Sequence, residues 1–243
     1  MAKYSPVLRI GRWRLAPRAR PTFAMLAAVA LFSALGAWQL DRAAGKRALE
    51  RAFERPGAAV ALPADAASLA TYLRVYADGR YDANRQFLHD NRSHEGRAGV
   101  EVLTPLLLPD GSAVLVNRGW LPYGRTRRDL PGVGVGAEPR RVTGRWRELP
   151  RAPIELVAPA GASWPRLVQY PRSAELSGML GRHLRPGYIL LDPADADGYV
   201  RNWLPVGTSP VRHLGYAVQW FAFAATAVAI WAALALRHGR DEA

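Results

Sequence analysis

The sequence contains no cysteine and only three methionines among its 243 residues. Without cysteine the chain forms no disulfide and holds no metal through thiolates. So few sulfur ligands also exclude the soft sites that carry copper(I). Enzyme motifs are missing as well, since there is no glycine-rich phosphate loop, no G-x-S-x-G and no H-E-x-x-H. We therefore expect a protein that is not an enzyme and has no catalytic residues.

The charge is strongly basic, with 33 Lys and Arg against 20 Asp and Glu, a net charge of +13. There is no basic stripe with interleaved aromatics and no recognisable nucleic-acid module, so no nucleic-acid partner is expected. The histidines do not follow metal-ligand spacing. They are His89, His94, His183, His213 and His238.

Charge is absent altogether from two long apolar runs, Phe23 to Leu40 and Leu214 to Leu236. Their 18 and 23 residues make roughly 27 and 34 Å of helix. A bilayer core is about 30 Å thick, so each run is predicted to be a transmembrane helix in contact with lipid. The alternative for the first run is a cleaved signal peptide. Cleavage after Ala37 would place Leu35 where a small residue is needed, which disfavours it.

The basic N-terminus orients the two spans. Residues 1–22 carry six basic groups and no acid, although further basic residues follow the first span closely. The positive-inside rule leans towards a cytoplasmic N-terminus. Two spans then return the C-terminus to the same side and place the middle domain outside.

The middle of the chain has mainly β-type patterns. The best hairpin is "GVEVLTPLLLPDGSAVLVNRGW", around Pro109-Asp110-Gly111. A second turn is predicted at Asp78-Gly79, and one helix over Ser173 to Leu184 with Ser173 as its N-cap. Arg42 to Glu54 reads as an amphipathic helical extension of the first span. We predict an α+β extramembrane domain built on an antiparallel sheet or open barrel.

The segment "RHLGYAVQWF" places His213 in the first turn of the second span, because that helix is predicted to begin near Pro210. Tyr216 and Trp220 follow at +3 and +7, on roughly the same face. By residue chemistry alone they are an interfacial histidine with belt aromatics.

Two motifs elsewhere also allow two interpretations. In "VNRGWLP", the structural one is a strand end and turn with Trp120 folded onto the core, and the alternative is that Arg118 holds a carboxylate at an exposed rim. In "LGAWQLDR", Gly36 permits close approach of a helix, and Gln39 needs a polar partner, which the second span can supply.

Taken in order, "LGAWQLDR", "NRGWLPYGRTRRDLP" and "HLGYAVQWFAFA" resemble the surfeit locus protein 1 family, over nearly the whole chain. That family consists of assembly factors for cytochrome c oxidase. The resemblance implies two transmembrane helices with both termini inside and a central domain in the periplasm or the mitochondrial intermembrane space. Because the short N-terminus does not resemble a Ser-rich amphipathic transit peptide, we expect a bacterial inner-membrane protein with both termini in the cytoplasm. The implied order is a basic cytoplasmic N-terminus (1–22), a transmembrane helix (23–40), a periplasmic domain (41–213), a second transmembrane helix (214–236) and a cytoplasmic tail (237–243).

The resemblance also implies a function. It predicts transient binding of haem a and help with its insertion into oxidase subunit I, alongside other assembly factors. His213 matches the family's histidine and would ligate the haem iron. Tyr216 and Trp220 would flank the porphyrin, and Arg212 and Arg118 would meet propionates. The alternatives are a scaffold that holds an oxidase intermediate without haem, a membrane-anchored periplasmic enzyme, or a signalling or transport subunit.

The predicted topology has a direct test. A reporter that is active only in the periplasm should give activity when fused at Gly111 and none when fused at Ala243, because charge and span number place these positions on opposite sides. The reverse pattern contradicts this topology.

Overall fold

The computed structural model describes residues 8–10, 13–15, 17–126, 129–149, 163–205 and 209–238. The chain divides into two compact units. We call Met1–Glu50 with Val206–Ala243 the membrane unit, and Arg51–Pro205 the barrel unit.

Two long helices dominate the membrane unit. Helix α1 spans Ala19–Glu54, so the predicted extension after Leu40 continues the same helix, and its last four residues, from Arg51, belong to the barrel unit. Helix α3 spans Pro210–Ala235 and begins, as predicted, with proline at its first position, where the missing N–H needs no partner. Both are long and apolar enough to cross a membrane. Few of their side chains are buried within the protein, unlike those of a soluble core helix. The chain is therefore a membrane protein.

A small antiparallel sheet also belongs to the membrane unit, and the sequence did not predict it. Its strands are β1 (Leu8–Ile10), β2 (Trp13–Leu15) and β11 (Leu236–His238), with β2 in the centre.

The barrel unit contains eight described strands and the short helix α2 (Ser173–Leu180). The strands are β3 (Val60–Ala61), β4 (Arg74–Tyr81), β5 (Phe87–His94), β6 (Arg97–Leu107), β7 (Ala113–Pro122), β8 (Arg140–Arg147), β9 (Arg166–Val168) and β10 (Leu184–Leu191). The mainly β prediction for this region is confirmed.

Five of these strands form a closed barrel in the order β4-β8-β10-β7-β6, and β6 pairs again with β4. The closing contacts are Arg80↔Leu107 and Tyr81↔Leu106. Neighbouring barrel strands are antiparallel except β10 and β7, which are parallel. Strands β5 and β9 extend the sheet beyond β6, and β3 pairs with β4. The barrel thus has no open seam between β4 and β6.

The barrel interior follows from the alternation of side chains along each strand. On β8, Val142 and Trp146 are fully buried, whereas Arg141 is exposed and Arg145 half-buried. Trp146 packs in a cluster with inward residues of the neighbouring strands. These include Val75, Leu106, Val114, Val116, Ile189 and Leu191.

The predicted hairpin is confirmed, but the turn at Asp78-Gly79 is wrong. Gly111 has φ of 82°, and β6 and β7 pair on either side of it. Strand β4, in contrast, runs straight through Asp78 and Gly79. A Cβ at Gly79 would collide with the Leu107 carbonyl. This glycine therefore serves the close approach of β4 and β6 where the barrel closes.

The predicted helix over Ser173 to Leu184 is too long. Helix α2 ends at Leu180 because Gly181 adopts a left-handed conformation with φ of 63°. Leu184 lies instead at the start of β10. The helix begins without a side-chain cap, and the N-cap position is Arg172 rather than Ser173.

Candidate functional site

Gly36 of α1 lies directly against Phe221 of α3. A Cβ at Gly36 would lie 2.8 Å from the Cζ atom of Phe221, so the aromatic ring occupies the space that a larger residue would fill. On α3, the small residues Ala217, Ala224 and Ala235 are buried, and the first two are seven positions apart. Small residues of this kind let membrane helices pack closely.

One turn after Gly36, Gln39 meets His213. The His213 Nδ1 atom lies 2.8 Å from Gln39 Oε1, and Gln39 is only 9% exposed. An amide oxygen can only accept, so in this arrangement Nδ1 carries the proton and donates it. The Nε2 atom of His213 then keeps its lone pair. The partner that Gln39 needs is therefore the candidate histidine itself.

A second polar contact joins the other ends of the two helices. Trp231 Nε1 donates to Thr22 Oγ1 at 2.9 Å. Along α1, Thr22 and Gln39 are separated by 17 residues, or roughly 26 Å. This length is close to the thickness of a bilayer core, about 30 Å. The two interhelical hydrogen bonds thus mark the two ends of the apolar contact.

The other candidate residues on α3 have different surroundings. Trp220 stacks on Phe32 of α1, with ring centroids 5.8 Å apart and planes at 25°. Tyr216 is 46% exposed, and Arg212 is exposed as well. Trp220 is therefore engaged in helix packing, whereas Tyr216 and Arg212 remain accessible from outside the protein. Phe32 carried no signal in the sequence beyond being apolar.

Arg118 lies inside the barrel unit, and the prediction of an exposed rim is wrong. The residue is 2% exposed. Its Nε donates to the Asp197 carbonyl at 2.8 Å, and Nη1 and Nη2 donate to the carbonyls of Val133 and Gly134 at 3.1 and 3.2 Å. Gln86 Oε1 accepts from Nη1 at 3.2 Å. Burial lowers the pKa of this guanidinium.

Aromatic rings complete the enclosure of Arg118. Its guanidinium carbon lies 4.9 Å from the ring centre of Tyr199 and 5.7 Å from that of Tyr81. The Tyr199 hydroxyl accepts the remaining N–H at 3.5 Å. All five N–H groups of the guanidinium therefore have acceptors within the protein. Arg118 fixes two loops to β7, and a propionate has no donor left to meet.

Gly119 and Trp120 of the motif "NRGW" also connect β7 to one of these loops. Gly119 has φ of 115°, and a Cβ there would lie 2.7 Å from the Val200 carbonyl. Trp120 exchanges backbone hydrogen bonds with Val200, and it is 7% exposed. The structural interpretation of Trp120 is supported by this burial. The motif therefore connects β7 to the residues around Val200.

A polar cluster of two buried residues, His89 and Asn117, and two half-buried ones, Arg92 and Glu101, was missed by sequence reasoning. Arg92 Nη2 lies 2.6 Å from His89 Nε2, and Asn117 Nδ2 donates to Glu101 Oε2 at 2.9 Å. Burial, reinforced by Arg92, lowers the pKa of His89 to about 3, so this histidine is neutral at pH 7. Residues on three strands meet here, which no local pattern indicates.

Conventional metal ligands do not converge in the part of the chain described. Among these residues there is no group of three or more His, Asp or Glu side chains placed to hold an ion. A haem iron needs fewer protein ligands than such an ion, because the porphyrin supplies four nitrogens and the protein adds one or two axial ligands. Of the candidate residues, His213 has the chemistry for this, because Nδ1 is held by Gln39 and Nε2 has no hydrogen bond to the residues that the structure describes.

The model of the SURF1 family matches residues 26–225. The chain belongs to the SURF1 family. A SURF1-like protein from Dictyostelium discoideum is similar too, with 43% identity over 49 residues. That match spans 20% of this chain and 18% of the Dictyostelium protein. The family assignment agrees with the resemblance in the sequence, and the matched region includes His213, Gln39 and Arg118.

The helix contact of this SURF1 family member can be tested with two glycines. Gly36→Ala should lower the melting temperature in detergent, because the new Cβ meets the Phe221 ring. Gly45→Ala is the matched control in the same helix, where a Cβ meets nothing within 4 Å. It should leave the melting temperature unchanged or raise it, since alanine favours helix by about 1 kcal/mol. Equal shifts for both variants contradict the close contact.

Arg118 and Trp120 are both expected to stabilise the barrel. Trp120→Ala should cost about 3–5 kcal/mol through the cavity it leaves. Arg118→Ala should cost at least about 3 kcal/mol because several buried carbonyls lose their donors. Denaturant unfolding of the full-length protein in detergent measures both.

Arg141→Ala is the matched control for Arg118→Ala. Arg141 pairs with Asp78 on the surface at 2.8 Å, so its loss should cost less than about 1 kcal/mol. If Arg118→Ala unfolds no more easily than Arg141→Ala, the structural role of Arg118 is refuted.

Proposed function

We propose that this protein is an assembly factor for cytochrome c oxidase that binds haem a through His213 and aids its insertion into subunit I. Membership of the SURF1 family supports the assembly role. The observation that carries the haem proposal is the hydrogen bond from His213 Nδ1 to Gln39 Oε1 at 2.8 Å. Histidines that ligate metals usually donate their other N–H to such an acceptor, which fixes the tautomer and the ring orientation.

The residues around His213 fit one side of a haem. In the proposed complex His213 Nε2 would bind the haem iron and Arg212 would meet a propionate, with Tyr216 one turn further along the helix. The haem iron would accept the lone pair of this nitrogen. A site at the membrane surface leaves the apolar macrocycle in lipid and its propionates in water. In this proposal Trp220 packs on Phe32 and does not stack on the porphyrin.

The proposed location is the bacterial inner membrane, with both termini in the cytoplasm and the barrel unit in the periplasm. The basic N-terminus and the two candidate spans support this arrangement. Subunit I and other assembly factors are the proposed partners, and no nucleic acid is involved. The protein acts without catalysis in this proposal, as a carrier whose single histidine ligand permits exchange.

The central test is the His213→Ala variant, purified in detergent from cells that make haem a. Haem content and absorption spectrum should be lost while membrane insertion remains normal. His183→Ala is a matched control, since His183 is an exposed histidine of the barrel unit. An unchanged haem content in His213→Ala refutes the ligand. Continued co-purification of oxidase subunits with a haem-free variant would favour the scaffold alternative.

A further inference from the structure

A cavity of about 450 Å³ in the barrel unit is lined by an excess of positive charge. Its charged lining residues are Arg74, Arg145, Arg201 and Asp192, and its aromatic ones are Phe53 and Trp203. Three arginines face one aspartate, which leaves two positive charges in excess. We call this cavity the arginine pocket.

The side-chain carboxylate of Asp192 forms an ion pair with one of these arginines, Arg74. Arg74 Nη2 lies 2.6 Å from Asp192 Oδ2 and takes the ion pair. Arg201 Nη1 reaches only the backbone carbonyl of Asp192, at 2.7 Å. Arg145 Nη1 donates to the Tyr72 carbonyl at 3.2 Å. Among the described residues, neither Arg145 nor Arg201 has a carboxylate within ion-pair distance.

Burial and a neighbouring positive charge both disfavour the charged form of Arg145, so an added anion would stabilise it. It is half-buried beside Arg74. Burial and, after it, the charge of Arg74 lower the pKa of the Arg145 guanidinium. Its carbon lies 4.9 Å from the ring centre of Phe53, so an aromatic surface is held beside the charge.

We propose that the arginine pocket binds an oxyanion attached to a flat apolar group, such as an aromatic carboxylate or phosphate. Guanidinium groups recognise carboxylate and phosphate oxygens through paired hydrogen bonds. Phe53 and Trp203 provide surface for the apolar part. Cavities of about 300–1,000 Å³ suit small organic ligands. The pocket is independent of the haem proposal, because it uses neither His213 nor any other residue of the membrane unit.

Titration calorimetry of the full-length protein in a nonionic detergent tests this proposal. Benzoate and phenyl phosphate are the probes, and benzyl alcohol is the neutral analogue. Both anions should bind, benzyl alcohol should not, and the tighter anion identifies whether carboxylate or phosphate is preferred. Arg145→Gln should weaken anion binding at least about tenfold, because one charged donor is lost. Asp192→Asn should tighten it several-fold, because a competing carboxylate is removed.

Arg80→Gln is the matched control. Arg80 is exposed on β4 and lines a different cavity, so its loss changes the net charge equally without touching the arginine pocket. Binding equal to the unchanged protein is expected. The proposal is overturned if benzyl alcohol binds as tightly as benzoate, or if Arg80→Gln weakens binding as much as Arg145→Gln. Should Arg145→Gln fail to fold, an unchanged or weaker affinity in Asp192→Asn overturns it.

Discussion

The hydrogen bond between Gln39 and His213 is the constraint on which the membrane unit depends. An amide or imidazole without a partner in an apolar medium costs several kcal/mol. The two side chains satisfy each other, but only if their helices lie close together. Gly36 on one helix and Ala217 on the other, each about one turn away, are small and buried. The polar pair therefore requires small residues beside it, because only these let the two helices come close enough for the hydrogen bond.

The barrel unit meets a related demand at Arg118, where a charge is buried among carbonyl groups rather than carboxylates. Val133, Gly134 and Asp197 belong to loops without regular hydrogen bonding, so their carbonyls are available as acceptors. One side chain thus fixes two loops. The geometry around Gly119 adds a backbone connection to Val200, so β7 contacts the segment from Asp197 to Val200 through both a side chain and the backbone.

Features set by nearby residues were predictable from the sequence, and features set by distant ones were not. The two spans, the hairpin at Gly111 and the start of α3 at Pro210 each depend on a few consecutive residues. Asp78-Gly79 has the composition of a turn. Position 79 requires a glycine for another reason, because the Leu107 carbonyl, 28 positions away, leaves no space for a Cβ. Similarly, the charge of Arg118 suggested an exposed position, and no local pattern revealed its acceptors, which lie up to 81 residues away along the chain.

The same constraint distinguishes Arg118 from His213, two of the five residues considered for haem. A side chain can hold a ligand only with atoms that the fold does not already use. Arg118 has five N–H groups, and each has an acceptor inside the barrel unit, so binding a propionate would mean releasing a loop. His213 has two ring nitrogens, and the helix contact uses one. Its structural hydrogen bond and an iron bond at Nε2 are compatible, and the first favours the second by fixing the tautomer.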